Sequence, residues 1–382
     1  MLGLQFSITI FMLAMVLVMF LQNRNIENSA EMYPKSEIIT LSRIGVESIR
    51  DRHDTLRNEL LKIPGVTHVS YGSQLPFEQS NSSFNVSTDA GGEEADFLLT
   101  QIVVDQTFFA TYDMDLLAGR PLSIEISADT VRKDVMAANA VVNELALVRL
   151  GLASPDEALG EVFFERRGDS EPRAYTIIGV LPDQNYQGFH NQIKPMVFYM
   201  NPLAHHYGSI RVAGVAMGRV LQDVEAVWKE VVPDYPAQSR FLDDEFNETF
   251  EIYTGLSLVL GGFAFVALLL SLIGLFGLAA FMAQGRTREI GVRKVMGAKM
   301  YQIVRLLIWQ FSRPVLWALL VALPLAYFAA NIYLDFFADR ITFTLPIVVG
   351  AGVLAVLFAW GIVAIHAIRV ARANPIHALR YE

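Results

Sequence analysis

The chain has 382 residues, 53% of them hydrophobic, and a formal net charge of −9. At a mean hydropathy of +0.37 it is too apolar for an ordinary soluble domain and too polar for one wholly embedded in a membrane. It has no cysteine, which excludes a disulfide framework, a thiolate metal site and a cysteine nucleophile.

Met1 to Leu21 is uncharged and apolar, long enough to cross a bilayer as a helix. No basic leader and no small-x-small cleavage site precede Asn23, so this stretch is expected to remain as an anchor. Residues 22–251 read as a soluble α+β domain inserted between the first and second spans, with two subdomains that break near 120–137. Glu37 to Leu41 is expected as a short strand. Val46 to Ile63 places apolar residues at helical spacing until Pro64-Gly65 stops it. Val66 to Tyr71 is a further strand, and this order suggests a βαβ unit or half of a ferredoxin-like fold. Leu75 to Asp96, rich in Ser, Asn, Gly and acids, reads as a loop. Phe97 to Asp105 is a strand, followed by a short helix at Phe108 to Met114 that Ala118-Gly119-Arg120-Pro121 closes. A second subdomain begins at Ala137 to Asn143. Ser154-Pro155-Asp156-Glu157 has the signature of a helix start. Strands are expected at Glu161 to Arg166, Arg173 to Leu181, Met196 to Met200 and Ser209 to Ala213, with a helix at Val220 to Val231.

The remainder is membrane-like. Residues 252–283 carry no charge, and a helix of that length exceeds the bilayer core, so Asp243 to Glu251 is expected to extend it as a polar stalk. Further spans are expected at 308–333, with Pro324 as a kink, and at 345–368, with a short tail at 369–382. The fold class is therefore a four-helix membrane protein carrying a large extracytoplasmic α+β domain.

The charge is partitioned. Residues 22–251 hold 19 Lys/Arg against 35 Asp/Glu, whereas residues 285–313 hold 7 basic residues against one acid, Glu289. Basic connectors lie on the cytoplasmic side, so segment 284–307 and both termini are placed inside and the acidic domain outside. The acidity of that domain argues against nucleic acid as a partner. Within the connector, Arg286 to Met296 suits a short helix with Val292, Val295 and Met296 on one side and Arg286, Arg293 and Lys294 opposite. Gly297 ends it, and a new helix restarts near Met300.

Small residues form stripes at Ala264, Ala267, Ser271 and Gly274 and at Ala351, Ala355 and Ala359, a pattern that lets membrane helices approach closely. No acid or base lies deep in a span, which weakens the case for an ion-coupled transporter. The seven histidines are scattered, and His205-His206 has no third ligand beside it. There is no phosphate-binding loop of the G-x-x-x-x-G-K-[ST] kind, no nucleophile elbow, and no catalytic, cofactor or metal motif. Asn81, Asn85 and Asn247 sit in glycosylation-type sequons.

Leu275-Phe276-Gly277-Leu278-Ala279-Ala280-Phe281, the run Arg286-Thr287-Arg288-Glu289-Ile290-Gly291-Val292-Arg293-Lys294-Val295-Met296-Gly297-Ala298, Pro324-Leu325-Ala326-Tyr327 and the ending Ala373-Asn374-Pro375 through Leu379-Arg380-Tyr381-Glu382 resemble the FtsX-like permease family. These are membrane subunits of ABC systems of the macrolide-exporter and lipoprotein-release type. The likeness covers about Phe241 to Glu382. The outer domain resembles a MacB-like periplasmic core more loosely, through Val141 to Glu144 and Ser154 to Glu157 with Leu159-Gly160. The resemblance implies an inner-membrane, non-catalytic subunit that transmits motion from a separate cytoplasmic ATPase. Its coupling positions would be Arg286, Thr287, Glu289, Ile290, Gly291, Arg293, Lys294, Gly297 and Ala298. It also implies export of a peptide, drug or lipoprotein, a second permease unit and a periplasmic adaptor. Macrolide exporters of this type carry the ATPase on the same chain and this one does not, and many relatives hold two four-span units, of which this chain resembles the second. Homodimer and half-transporter both stay open. So do two other functions: regulation of an extracytoplasmic cell-wall hydrolase, and ligand sensing by the outer domain.

Overall fold

The structure is a computed structural model and describes residues 2–30, 33–78, 82–89, 97–168, 170–184, 186, 193–214, 217–285, 296, 300–337, 339–342 and 344–372. The chain divides into two compact units, one of residues 1–26 with 251–382 and one of residues 27–250.

The sheet unit begins with β1 (Ile38–Leu41), α2 (Glu47–Arg50), α3 (His53–Leu60) and β2 (Val66–Gly72) and ends with β10 (Tyr207–Val212), α6 (Met217–Val231) and β11 (Ser239–Phe241). β1 and β2 are not neighbours. Each pairs antiparallel with β10, which lies between them, and β11 pairs antiparallel with β1. The order β11-β1-β10-β2 is thus two split βαβ units, the ferredoxin-like alternative of the sequence reading. Its core joins Ile39, Leu41, Val69 and Ile210 of the strands to Leu56 and Leu60 of α3 and Val220, Val224 and Trp228 of α6. The one helix expected over Val46 to Ile63 is two. The Arg52 N–H bonds to Ile49 O three residues back, and its guanidinium reaches Val231 O at 2.8 Å. His53 is held against Ile44 O at 2.9 Å. These tertiary bonds tighten the chain where periodicity alone would continue it.

Between β2 and β10 the described residues build six more principal strands: β3 (Ser83–Ser87), β4 (Phe97–Val104), β6 (Ala137–Asn143), β7 (Val162–Arg167), β8 (Ser170–Leu181) and β9 (Met196–Met200). Their pairings β4-β3-β7-β8-β6-β9 return to β4, so the sheet closes on itself as a small barrel. Closure removes exposed edges. Alternate residues point inward, as pleating requires: Phe84 and Val86, Leu99 and Val103, Ala138, Ala140 and Val142, Phe163, Tyr175 and Ile177, and Val197 and Tyr199. Tyr175 fills the centre, with ring centroids 5.5–5.7 Å from Phe163, Tyr199 and Phe84. The two-residue strand β5 (Ala118–Gly119) joins β8 where Gly119 faces Gly179. A Cβ on Gly119, at φ +84°, would lie 2.2 Å from Ile178 O, so only glycine allows that crossing.

Two further expectations need correction. Leu75 to Asp96 is not loop throughout, because β3 occupies 83–87 and pairs with both β4 and β7; residues 79–81 and 90–96 lie outside the described residues. Ser154 to Glu157 forms the first bond of a helix cap, Glu157 N to Ser154 Oγ at 3.3 Å, while the Glu157 carboxylate accepts from Ala153 N at 3.2 Å. No helix follows. After one turn Gly160 takes φ +93° and its N–H goes to Ile177 O. Between these segments lies α4 (Phe108–Thr111), which packs against β2 and β10 and whose Phe108 and Phe109 rings meet Phe198 of β9. Asn143 caps α5 (Glu144–Leu150) by accepting from Ala146 N, and it also accepts from Met196 N and donates to Asp183 and Lys194 O.

Among the described residues the helical unit holds four helices long and apolar enough to cross a membrane, with spans at Gly3–Asn28, Phe250–Gly277, Ser312–Leu334 and Thr344–Ile365. They belong to α1 (Leu2–Ala30), α7 (Leu242–Gly285), α8 (Met300–Leu334) and α9 (Thr344–Arg372). α8 starts at Met300, as the sequence suggests, and continues through Pro314 and Pro324.

Tyr175→Ala empties the centre of the barrel and is expected to destabilise the sheet unit by about 3–5 kcal/mol, read as a lowered unfolding midpoint of that unit; an unchanged midpoint contradicts the closed, filled barrel. Acid supplies a second test. Burial holds the His205 imidazole down at about 3 against an ordinary value of 6.5, with His53 and Arg57 adding to the effect, and burial lowers His53 as well. Such histidines fold neutral, so below pH 6.5 the unfolded chain binds protons that the folded chain does not. Stability is expected to be level above pH 6.5 and to fall from there towards pH 3, with a shallower fall in His205→Gln; equal slopes would contradict the assignment.

Candidate functional site: the root and the membrane contacts of the long helix

α7 is the element that the site is built around. It follows β11 without a linker and runs for 44 residues, about 66 Å at 1.5 Å per residue against a bilayer core of about 30 Å. The expected extension of the second span through Asp243 to Glu251 is therefore present as one helix. Asp243, Asp244 and Glu245 occupy its first turn, where negative charge complements the helix dipole.

Within the sheet unit the first turns of α7 are packed into an aromatic cluster. Leu242, Phe246 and Phe250 are buried. Phe246 meets Phe77 edge-on at 5.1 Å and stacks on Phe250 at 5.5 Å. Lys35 sits 3.7 Å over the Phe246 ring and reaches Asp243 at 3.4 Å. Phe77 takes a left-handed φ of 70°, an uncommon conformation for a bulky residue, and its N–H is bonded to Tyr186 O at 2.8 Å. Tyr33, three residues beyond the end of α1, packs against Phe77, Tyr112 and Tyr186. The return from α1 and the departure into α7 thus share one aromatic anchor. A cleft of about 620 Å³ opens beside it, lined in part by Glu78, Tyr207, Glu225, Arg240 and Glu245. Tyr207 donates to Glu78 at 2.8 Å. Burial raises the Glu245 carboxyl; Arg240 opposes this, and Glu248, Glu78 and Asp244 add to it.

In the helical unit both small-residue stripes are used. Ala264 and Ser271 of α7 and Ala351, Ala355 and Ala359 of α9 are buried. Phe6, Ile10, Ala14 and Val18 place α1 in two apolar clusters with α8 and α9. Polar side chains then tie α1 to its neighbours. Thr9 Oγ1 lies 2.7 Å from Ser271 Oγ and donates to Ala267 O at 3.2 Å. Asn23 donates to Ser257 Oγ at 2.9 Å. Gln22 bonds Asp339 O and Ile341 N, and Trp360 of α9 donates to Ser312 of α8 at 2.7 Å.

The coupling positions Arg286, Thr287, Glu289, Ile290, Gly291, Arg293, Lys294, Gly297 and Ala298 lie outside the described residues; of that segment the structure describes Met296, which is exposed. His205 is buried in a stack with His53 and Tyr71, and among the described residues no three metal-ligating side chains gather. The sequence reading missed Thr9, Asn23 and Ser257. Their signal was a hydroxyl or an amide within apolar stretches, where each must find a partner.

Residues 261–375 match the family described as FtsX-like permease C-terminal. The chain is 25% identical over 213 residues to the macrolide export ATP-binding/permease protein MacB of Aggregatibacter actinomycetemcomitans, covering 53% of this chain and 31% of that one. It is 33% identical over 133 residues to the pyoverdine export ATP-binding/permease protein PvdT of Pseudomonas putida, covering 33% and 19%. The chain thus spans a third or less of the length of these relatives. Among solved structures, the periplasmic region of MacB from Actinobacillus actinomycetemcomitans is similar at 14% identity and a TM-score of 0.39, over 60% of this chain and 98% of that one. The family match runs from within α7 past the end of α9, so residues 261–375 resemble the C-terminal part of an FtsX-like permease, and both curated relatives are export permeases by name.

Proposed function

We propose that the chain is the permease subunit of an ABC transporter that carries motion from a separate cytoplasmic ATPase to the sheet unit outside the membrane, for export of a peptide, drug or lipoprotein. The observation that carries this reading is α7: one helix of 44 residues whose first turns belong to the sheet unit and whose remainder belongs to the helical unit. A continuous helix has no hinge to absorb a push at its far end, and moving packed bodies is an established way to transmit a switch. The basic segment that follows α7, with Arg286, Thr287, Glu289, Ile290, Gly291, Arg293, Lys294, Gly297 and Ala298, is the proposed contact with the ATPase. Its positive charge supports a reading in which both termini are cytoplasmic and the protein sits in the inner membrane. A second permease unit and an extracytoplasmic adaptor complete the proposed assembly. Export by the named relatives favours a transport role over regulation of a wall enzyme.

Reversing charge with Arg293→Glu and Lys294→Glu is expected to abolish co-purification of the ABC-type ATPase that accompanies the wild-type chain, with the permease still present in the membrane fraction. Association that survives both changes sinks the contact assignment.

A further inference from the structure

Resting on the reading of α7 as the driven helix, we propose that Thr9 and Asn23 are positioning residues that hold α7 in register against a body formed by α1, α8 and α9, through weak polar latches. Three observations lead there.

The first is how unequally the helices are held. α1 is locked to α8 and α9 by Phe6, Ile10, Ala14 and Val18 against Val315, Ala318, Ala322, Ala326, Ala330, Ala351 and Ala355. From α7 only Leu275 joins those clusters, among the described residues. In the most apolar stretch of the span Phe250–Gly277, 17% of the residues are buried, against 33%, 28% and 35% in those of the other three. In hydrocarbon, sparse packing leaves little to fix one helix against another.

The second is the spacing of the polar contacts. Thr9, Val16 and Asn23 recur at seven-residue intervals on α1, and Ser257, Ala264 and Ser271 recur at the same interval on α7. Thr9 meets Ser271 and Asn23 meets Ser257, so the two helices run antiparallel in one register along one seam. Midway, Val16 faces α7 across Gly261, where a Cβ would sit 3.9 Å from its Cγ1. A strict heptad keeps such a seam facing its partner along its length.

The third is the strength of these bonds. Hydrogen bonds between membrane helices are individually weak, because each group also finds partners when the helices are apart. Gln5 O, 2.9 Å away, is the alternative acceptor for the single Thr9 hydroxyl proton, and Ser257 donates to Tyr253 O at 2.9 Å, so each hydroxyl keeps a partner when the helices part. Asn23 Oδ1 is buried without one. The latches therefore set the position of α7 precisely and open at low cost, which suits a helix that must move against α1, α8 and α9.

The chain has no cysteine, so paired spin labels report cleanly. Labels at Leu4 and Ile273, both exposed, follow α7 against α1. Labels at Leu320 and Val353, also exposed, follow α8 against α9. In vesicles of phosphatidylcholine and phosphatidylglycerol, without ATPase or nucleotide, the wild-type chain is expected to give one narrow distance at each pair. Thr9→Val with Asn23→Leu adds a longer-distance population at the first pair and leaves the second unchanged, while Thr9→Ser retains the wild-type profile. An unchanged first pair in the double variant overturns the latch. Broadening of both pairs overturns it too, because the loss would then be one of general packing. Since no ATPase is present, failure here leaves the transport reading untouched, and failure of the Arg293 and Lys294 test leaves the latch untouched.

Discussion

Hydrocarbon offers no partner to a backbone N–H or C=O, so a chain that enters it must satisfy those groups within itself. The four spans are helices for that reason, and α7 extends the same solution beyond the thickness that requires it. Once the backbone is satisfied, apolar side chains gain little from touching one another rather than lipid. What discriminates one helix arrangement from another is then close approach at Ala and Gly and the need of a few hydroxyls and amides for partners. α8 and α9 use the first, through Ala318, Ala322, Ala351 and Ala355 and through Gly352, where a Cβ would lie 2.8 Å from Leu319. α7 and α1 use the second, through Ser271 and Thr9 and through Ser257 and Asn23.

In water the balance inverts, and the sheet unit is held by buried apolar area. Its two cores differ in kind. One is a sheet layer covered by α3 and α6, with Trp228 at its centre. The other is a barrel interior filled by aromatic rings around Tyr175. The two join through β2 and β4, which pair at Gly72 and Val104. Just beyond, Asp105 accepts from Tyr71 N at 2.8 Å and from Thr107, and is paired with Arg57 of α3. Burial raises this carboxyl while Arg57 and the donors around it pull the other way. A charge so enclosed costs several kcal/mol if its partner is removed, which ties the turn after β4 to α3 and β2.

Much of this was legible from local pattern. The span of Met1 to Leu21, the overlong second span with its acidic first turn, the restart at Met300 and the strands at 66–71, 97–105, 173–181 and 196–200 all follow from hydropathy or alternation. The failures have physical causes. Ser83 to Ser87 hides in a stretch rich in Ser and Asn, and becomes a strand because β4 and β7 flank it. Ser154 to Glu157 carries a correct helix signal, overridden when Gly160 bonds to β8. Arg52 breaks a periodic helix because Val231 O, far away in sequence, takes its guanidinium. For the candidate site, the importance of the second span was readable from its length, whereas its root at Phe246, Phe77, Lys35 and Tyr33 was not.

The sequence by itself determined which segments are long and apolar enough to cross a membrane, most of the helices and strands, and where the positive charge lies, because each depends on residues close together along the chain. Tertiary structure alone decided that β10 separates β1 from β2, that six strands close into a barrel, and that Thr9 finds Ser271. Each of those is a pairing between distant residues, and a local pattern that offers a donor or an apolar face does not name the group that will meet it.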